Sequence, residues 1–166
     1  MQYFAYGSNM FTRRLQKRVP SAQAVAVADL AGYRLCFHKK SNDGSGKCNA
    51  LRTDDAQDAV LGVVFEIDPS EKARLDDAEG LGKGYREKVI EVVGPQGQMT
   101  AFIYVAEADS IDAAVKPYTW YKQFVVHGAH QHSLPDAYIQ QIETVDAVTD
   151  PDRERERRNF ALLAER

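Results

Sequence analysis

The sequence is poor in the features that mark several large protein classes. It has two cysteines in 166 residues, Cys36 and Cys48, with no metal-type spacing. Both lie in strand-like runs, which predicts buried, reduced thiols rather than a disulfide framework. No apolar run approaches the roughly 20 residues that a membrane-spanning helix requires. Basic residues are not in excess: 21 Lys and Arg stand against 24 Asp and Glu, for a net charge of -3. Neutralising phosphates takes a positive surplus, so neither nucleic acid nor an anionic membrane is an expected partner. There is no charged leader with a small-residue cleavage site, and a cytoplasmic location is expected. No repeat, low-complexity segment or long linker divides the chain. At 44% hydrophobic content, a single domain over residues 1–166 has enough apolar surface for a core.

What is present reads as strands first and helices last. Tyr3 to Tyr6 is a short buried strand. Met10 to Val19, with four basic residues and Pro20 behind it, reads as a short, largely exposed helix. Ala22 to Leu30 and Tyr33 to Lys39 read as two antiparallel strands joined at Ala31-Gly32; the second alternates Tyr33, Leu35 and Phe37 against Arg34, Cys36 and His38. Lys40 to Lys47 has the composition of a mobile loop. Cys48 to Thr53 and the highly apolar Ala59 to Ile67 follow as strands, with Gly62 marking a bulge or a close backbone approach. Asp68-Pro69-Ser70-Glu71 is a strong helix start, and Gly80 a matching stop. Tyr85 to Val93 and Met99 to Ala106 form a hairpin over Gly94-Pro95-Gln96-Gly97. Helices open at Pro117, Pro135 and Asp150-Pro151, the last an extra charged helix over about residues 150–166. It reads as a terminal cap or a dimer contact, so a homodimer stays open. The fold class is α+β, with a mixed or antiparallel, barrel-like sheet flanked by helices.

The stretch Tyr3-Phe4-Ala5-Tyr6-Gly7-Ser8-Asn9-Met10 runs from a strand through a tight turn, with Ser8 or Asn9 as N-cap of the next helix. It is either an ordinary capped turn or an anion pocket of backbone N–H groups reinforced by the helix dipole. Gly7 would let a ligand approach the backbone. Glu79 ends its helix, with Asp76 three residues before it; both the helix dipole and the like charge disfavour a bare carboxylate, a setting that suits a proton carrier. Tyr118, Trp120, Tyr121 and Phe124 have the spacing of core residues. His127, His130 and His132 match no zinc pattern, so no metal is expected. Cys48 is either buried or a reactive thiol beside the loop.

Three segments in order resemble the γ-glutamylcyclotransferase (AIG2-like) family. They are the octapeptide Tyr3–Met10; Leu75-Asp76-Asp77-Ala78-Glu79-Gly80 with Gly84-Tyr85; and Tyr121-Lys122-Gln123-Phe124-Val125-Val126-His127-Gly128-Ala129 with Leu134-Pro135 and Tyr138. The resemblance implies that Glu79 is the catalytic acid/base. It also implies that Tyr3, Phe4, Ala5, Tyr6, Gly7, Ser8, Asn9, Met10, Tyr85 and Tyr121 bind a small γ-glutamyl substrate. The implied reaction is attack of the substrate's own α-amine on its γ-carbonyl, releasing 5-oxoproline and an amine without cofactor, metal or covalent nucleophile. Two alternatives stay open. The same chemistry could act on glutathione, an isopeptide or a γ-glutamyl-protected intermediate, or the fold could serve as a non-catalytic module binding a γ-glutamyl or acidic metabolite.

Overall fold

The computed structural model describes residues 1–164. In chain order these form β1 (Gln2–Ala5), a 3-10 turn at Ser8–Met10, α1 (Thr12–Gln16), β2 (Gln23–Ala31), β3 (Tyr33–Lys40), β4 (Gly46–Arg52) and β5 (Ala59–Glu66). Then come α2 (Lys72–Glu79), β6 (Tyr85–Gly94), β7 (Gly97–Ala106), α3 (Thr119–Gln131), α4 (Asp136–Glu143) and α5 (Arg153–Ala164). Five strands close a barrel in the order β1-β5-β2-β6-β7. β1 meets β7 in parallel and the other pairs are antiparallel, so the sheet is mixed. The α+β, barrel-like fold expected from the strand-then-helix order is the fold observed. No helix among the described residues is long and apolar enough to cross a membrane.

The barrel is filled from its most apolar strand. Val60, Val63, Val64 and Phe65 of β5 are fully buried, as a strand covered on both faces must be. Gly62 is a close approach: a Cβ there would lie 2.5 Å from the Ala5 carbonyl oxygen and 2.7 Å from the Phe4 ring. β6 and β7 pair down to Gly94 opposite Gly97, leaving Pro95-Gln96 as the two-residue turn. A 3-10 turn (Pro69–Glu71) capped by Asp68, whose carboxylate accepts from the Ser70 N–H at 2.8 Å, leads into α2, which ends at Gly80 in the left-handed region at φ 73°. Glu71 does not close a local capping box. It accepts from the Ser21 N–H at 3.0 Å and hydroxyl at 2.6 Å, which ties α2 to the turn behind α1.

Three expectations are corrected. β2 and β3 are not a hairpin: β2 pairs with β5 and β6, while β3 pairs with β4 in a separate two-stranded sheet. Alternation records which side of a strand is buried, not which strand it pairs with. Gly32, at φ +77°, turns the chain out of the barrel between them. Second, the helix predicted over 10–19 shrinks to Thr12–Gln16, and it is anchored rather than largely exposed. Leu15 and Val19 are fully buried, and neither Ser8 nor Asn9 caps it; Phe11 holds that position without a side-chain hydrogen bond. Third, the loop after β3 is tied down. Asp43 accepts from Ser45, Lys47 and, through its carbonyl, the Tyr118 hydroxyl at 2.7 Å.

The last third of the chain clamps the first turn in place. α3 buries Trp120, Tyr121, Phe124 and Val125, and its Gly128 lies against the Ser8–Met10 turn. A Cβ at Gly128 would sit 2.5 Å from the Phe11 nitrogen and 2.6 Å from the Met10 Cβ. The charged α5 packs on α3 through Asp150, which is fully buried and accepts from Trp120 Nε1 at 2.8 Å and from Arg155 Nε at 2.7 Å.

Gly128→Ala should overpack this contact and cost about 1–3 kcal/mol, read as a melting temperature lowered by several degrees; an unchanged melting temperature would contradict the packing described. The Arg155 hydrogen bonds hold the Asp150 carboxyl at about 2, below its ordinary value. A depressed carboxyl stabilises the fold above the unfolded-state pKa and loses that contribution as pH falls toward the folded value. Asp150→Asn should therefore weaken the fold by about 1.5–3 kcal/mol at neutral pH, and flatten the loss of stability between roughly pH 4 and 2. Urea melts at several pH values check both.

Candidate active site

A small cavity of about 20 Å³ opens between the first turn, β4 and the C-terminal end of α2. Tyr3, Tyr6, Gly7, Ser8, Asn9, Cys48, Glu79, Tyr85, Tyr104 and Tyr121 line it. Of the residues singled out in the sequence, all but three are here. Phe4, Ala5 and Met10 are fully buried in the core instead: Phe4 presses on Gly62, Ala5 pairs with Val63, and Met10 lies beneath Gly128.

Glu79 is the single carboxylate in the wall, and it is held from two sides. Its Oε1 accepts from Arg18 Nη1 at 2.5 Å and from Asn9 Nδ2 at 2.9 Å. Arg18 Nη1 also donates to Asn9 Oδ1 at 3.0 Å, which closes a triangle. Asn9 Nδ2 donates as well to the Tyr3 hydroxyl at 3.0 Å. With Oδ1 facing a cation and Nδ2 facing two acceptors, one amide orientation satisfies every contact. Both contacts to Glu79 fall on Oε1, which leaves Oε2 for a proton on a bound molecule. Asp76 is no bare like charge beside it, because Lys72 and the Tyr104 hydroxyl hold its carboxylate.

The rest of the wall is phenolic. Burial pushes the Tyr3, Tyr6, Tyr85 and Tyr121 hydroxyls well above the ordinary tyrosine value, so each stays a neutral donor or acceptor. Two of them fix the backbone of one β4 residue: Tyr85 donates to the Cys48 carbonyl at 2.6 Å, and the Tyr121 oxygen accepts from the Cys48 N–H at 3.0 Å. Gly7 is required by the same contact, since a Cβ there would lie 3.0 Å from the Cys48 Cβ and 3.4 Å from the Tyr121 oxygen. The N–H groups of Ser8 and Asn9 have no acceptor among the described residues. They are donors available to an oxygen in the cavity, although a helix dipole adds little because α1 starts only at Thr12.

Arg18, Tyr104 and Cys48 are wall or second-layer groups that sequence reasoning did not assign to the site. No local signal marks Arg18, whose partner Glu79 lies 61 residues along the chain. The histidines do not gather. His132 contacts the Met10 carbonyl and the Thr12 hydroxyl, each at 3.0 Å, and His127 contacts the Gln123 carbonyl of its own helix. Among the described residues, no group of three or more His, Cys, Asp or Glu is placed to hold a metal ion.

A model of the AIG2-like family matches residues 59–142. The gamma-glutamylcyclotransferases of Homo sapiens and Mus musculus are 30% and 31% identical over 149 residues, covering 87% of this chain and 78% of each relative. A solved structure of a gamma-glutamyl cyclotransferase superposes with a TM-score of 0.84 at 26% identity, over 97% of this chain and 98% of that one.

Burial pushes the Cys48 thiol up to about 12. At pH 8 only about one molecule in ten thousand would then carry the thiolate that reacts. Cys36 is only half-buried. A chromogenic disulfide reagent should titrate at most one thiol quickly in the native protein and the second only after denaturation; two equally fast thiols would contradict the tight wall at Cys48.

Proposed function

The chain belongs to the AIG2-like family that includes the γ-glutamylcyclotransferases, and from that premise we propose that it is a cofactor-independent enzyme converting γ-glutamyl amides into 5-oxoproline and a free amine. The observation that carries this reading is Glu79 facing the Gly7-Ser8-Asn9 turn across a single cavity.

The substrate brings its own nucleophile, so the cavity has to fold it and move protons. Holding the α-nitrogen against the γ-carbonyl makes ring closure intramolecular, which supplies a large share of the rate. Oε2 of Glu79 takes a proton from the α-ammonium, and the freed amine attacks the γ-carbon. The carbonyl oxygen gains negative charge and is met by the Ser8 and Asn9 N–H groups, donors that need no rearrangement. Glu79 then passes this proton to the amide nitrogen and the C–N bond breaks; the ring nitrogen gives its second proton to the Glu79 carboxylate, which hands it to the departing amine, so that a neutral lactam and an ammonium leave. The neutral tyrosines leave Glu79 as the group that can carry protons in both directions. Arg18 and Asn9 keep its carboxylate aimed by occupying the other oxygen.

Glu79→Gln keeps size and one acceptor while removing the base. It should lower kcat by roughly 10²- to 10⁴-fold, measured as 5-oxoproline release from γ-glutamyl-alanine, in a variant whose circular-dichroism spectrum shows it folded. Turnover retained in the variant would overturn the assignment of Glu79. A folded wild-type protein inert on γ-glutamyl-alanine, glutathione and γ-glutamyl-lysine would overturn the activity itself and favour a binding role.

A further inference from the structure

The cavity continues outward, beyond Glu79, into a second space of about 110 Å³. The two share Ser8, Glu79, Tyr85 and Tyr121, and the outer one adds Arg14, Arg18, Lys39, Ser41, Lys47 and Ala78. Four cations therefore ring a space whose single carboxylate is Glu79. Two are already neutralised: Arg18 by Glu79, and Lys47 by Asp43 at 2.7 Å.

Arg14 and Lys39 are not. Among the described residues Arg14 donates only to neutral oxygens, the Ser8 hydroxyl at 3.2 Å and the Asn159 amide oxygen at 3.4 Å, and its guanidinium lies 4.4 Å from the centre of the Phe124 ring. Burial, and then the neighbouring Arg18 charge, pull its pKa down to about 10. Lys39 is the more unusual. The residue is only 7% exposed, yet its ammonium has neither a hydrogen-bond acceptor nor an ion-pair partner among the described residues. It stands 4.8 Å from the centre of the Tyr85 ring. Glu79, Asp43 and Glu107 act on it through space, against a larger burial effect that lowers its pKa. Gly84 makes room for it, since a Cβ there would lie 2.9 Å from the Lys39 nitrogen. A lysine buried this far is normally paired, and the open side of this one is the cleft.

We infer that Lys39, with Arg14, forms an anion-reading subsite on the leaving-group side of Glu79, selecting substrates whose leaving amine carries a carboxylate. The inference rests on the proposed reaction only for direction: Glu79 must reach the scissile nitrogen, so whatever is attached to that nitrogen extends away from the Gly7–Asn9 turn and into the outer space. A carboxylate there supplies the acceptor that Lys39 lacks, through charge-assisted hydrogen bonds in a site largely shielded from water. A leaving amine with a second ammonium group would meet two uncompensated cations and be rejected.

The test is a binding measurement that does not depend on turnover. Wild-type protein is titrated calorimetrically with glutaryl-alanine and with glutaryl-alaninamide, which lack the attacking α-amine and so cannot cyclise, and which differ from one another only in the carboxylate. The acid should bind at least roughly tenfold more tightly than the amide. Adding Lys39→Met should weaken the acid by roughly 10- to 100-fold and leave the amide within about twofold. Lys39→Gln replaces Lys39→Met should the latter not fold. Equal affinity of the two ligands, or an equal loss on both when Lys39 is changed, overturns the subsite. Wild-type 5-oxoproline release is read separately. Discrimination without turnover would leave the subsite standing and remove the reaction, while turnover without discrimination would do the reverse.

Discussion

The triangle of Asn9, Arg18 and Glu79 is the interaction on which the site depends. It joins three segments far apart in the chain: the turn after β1, the residues just behind α1, and the last residue of α2. Each member satisfies the others, so losing one leaves a part-buried charge or amide without its partner, which costs more than the lost hydrogen bond alone. The geometry also divides the labour of one carboxylate. Oε1 is held by two donors and Oε2 remains for a ligand, so the group is oriented without being used up.

The barrel and the late helices serve that triangle by immobilising what surrounds it. β1 is held between β5 and β7, which fixes where its C-terminal turn emerges. Gly128 of α3 allows the backbone of that turn to come close enough to be wedged. Tyr85 and Tyr121, from a strand and a helix, hold the backbone carbonyl and N–H of Cys48 in β4. The wall is consequently made of backbone and neutral phenols. A single carboxylate stands in that wall, and Arg14, Arg18, Lys39 and Lys47 line the outer space beside it.

Much of this was legible in the residues themselves, and the reasons are local. Asp68-Pro69 and Gly80 delimit α2 because capping and left-handed backbone are short-range constraints. Gly94 and Gly97 set the β6–β7 register in the same way. Glu79, Tyr85 and Tyr121 could be picked out by resemblance, and they do meet at one cavity. The pairing of β2 with β5 was not legible, since period-two alternation is the same whichever strand is opposite. Phe4, Ala5 and Met10 looked inseparable from their neighbours in sequence, but the backbone turns them into the core. Arg18 was hidden because its partner Glu79 is 61 residues away. Lys39 was hidden because nothing in an alternating strand says which lysine will be buried without an acceptor.

The most direct test of the account is where a substrate's atoms lie relative to Glu79. A crystal structure of the Glu79→Gln protein with intact γ-glutamyl-alanine would show it. The account predicts the substrate α-nitrogen within hydrogen-bonding distance of the residue 79 side chain, roughly 2.6–3.2 Å, and the γ-carbonyl oxygen turned toward the Ser8 and Asn9 N–H groups. A substrate bound with its α-nitrogen facing away from residue 79, or seated outside this cavity, would contradict it.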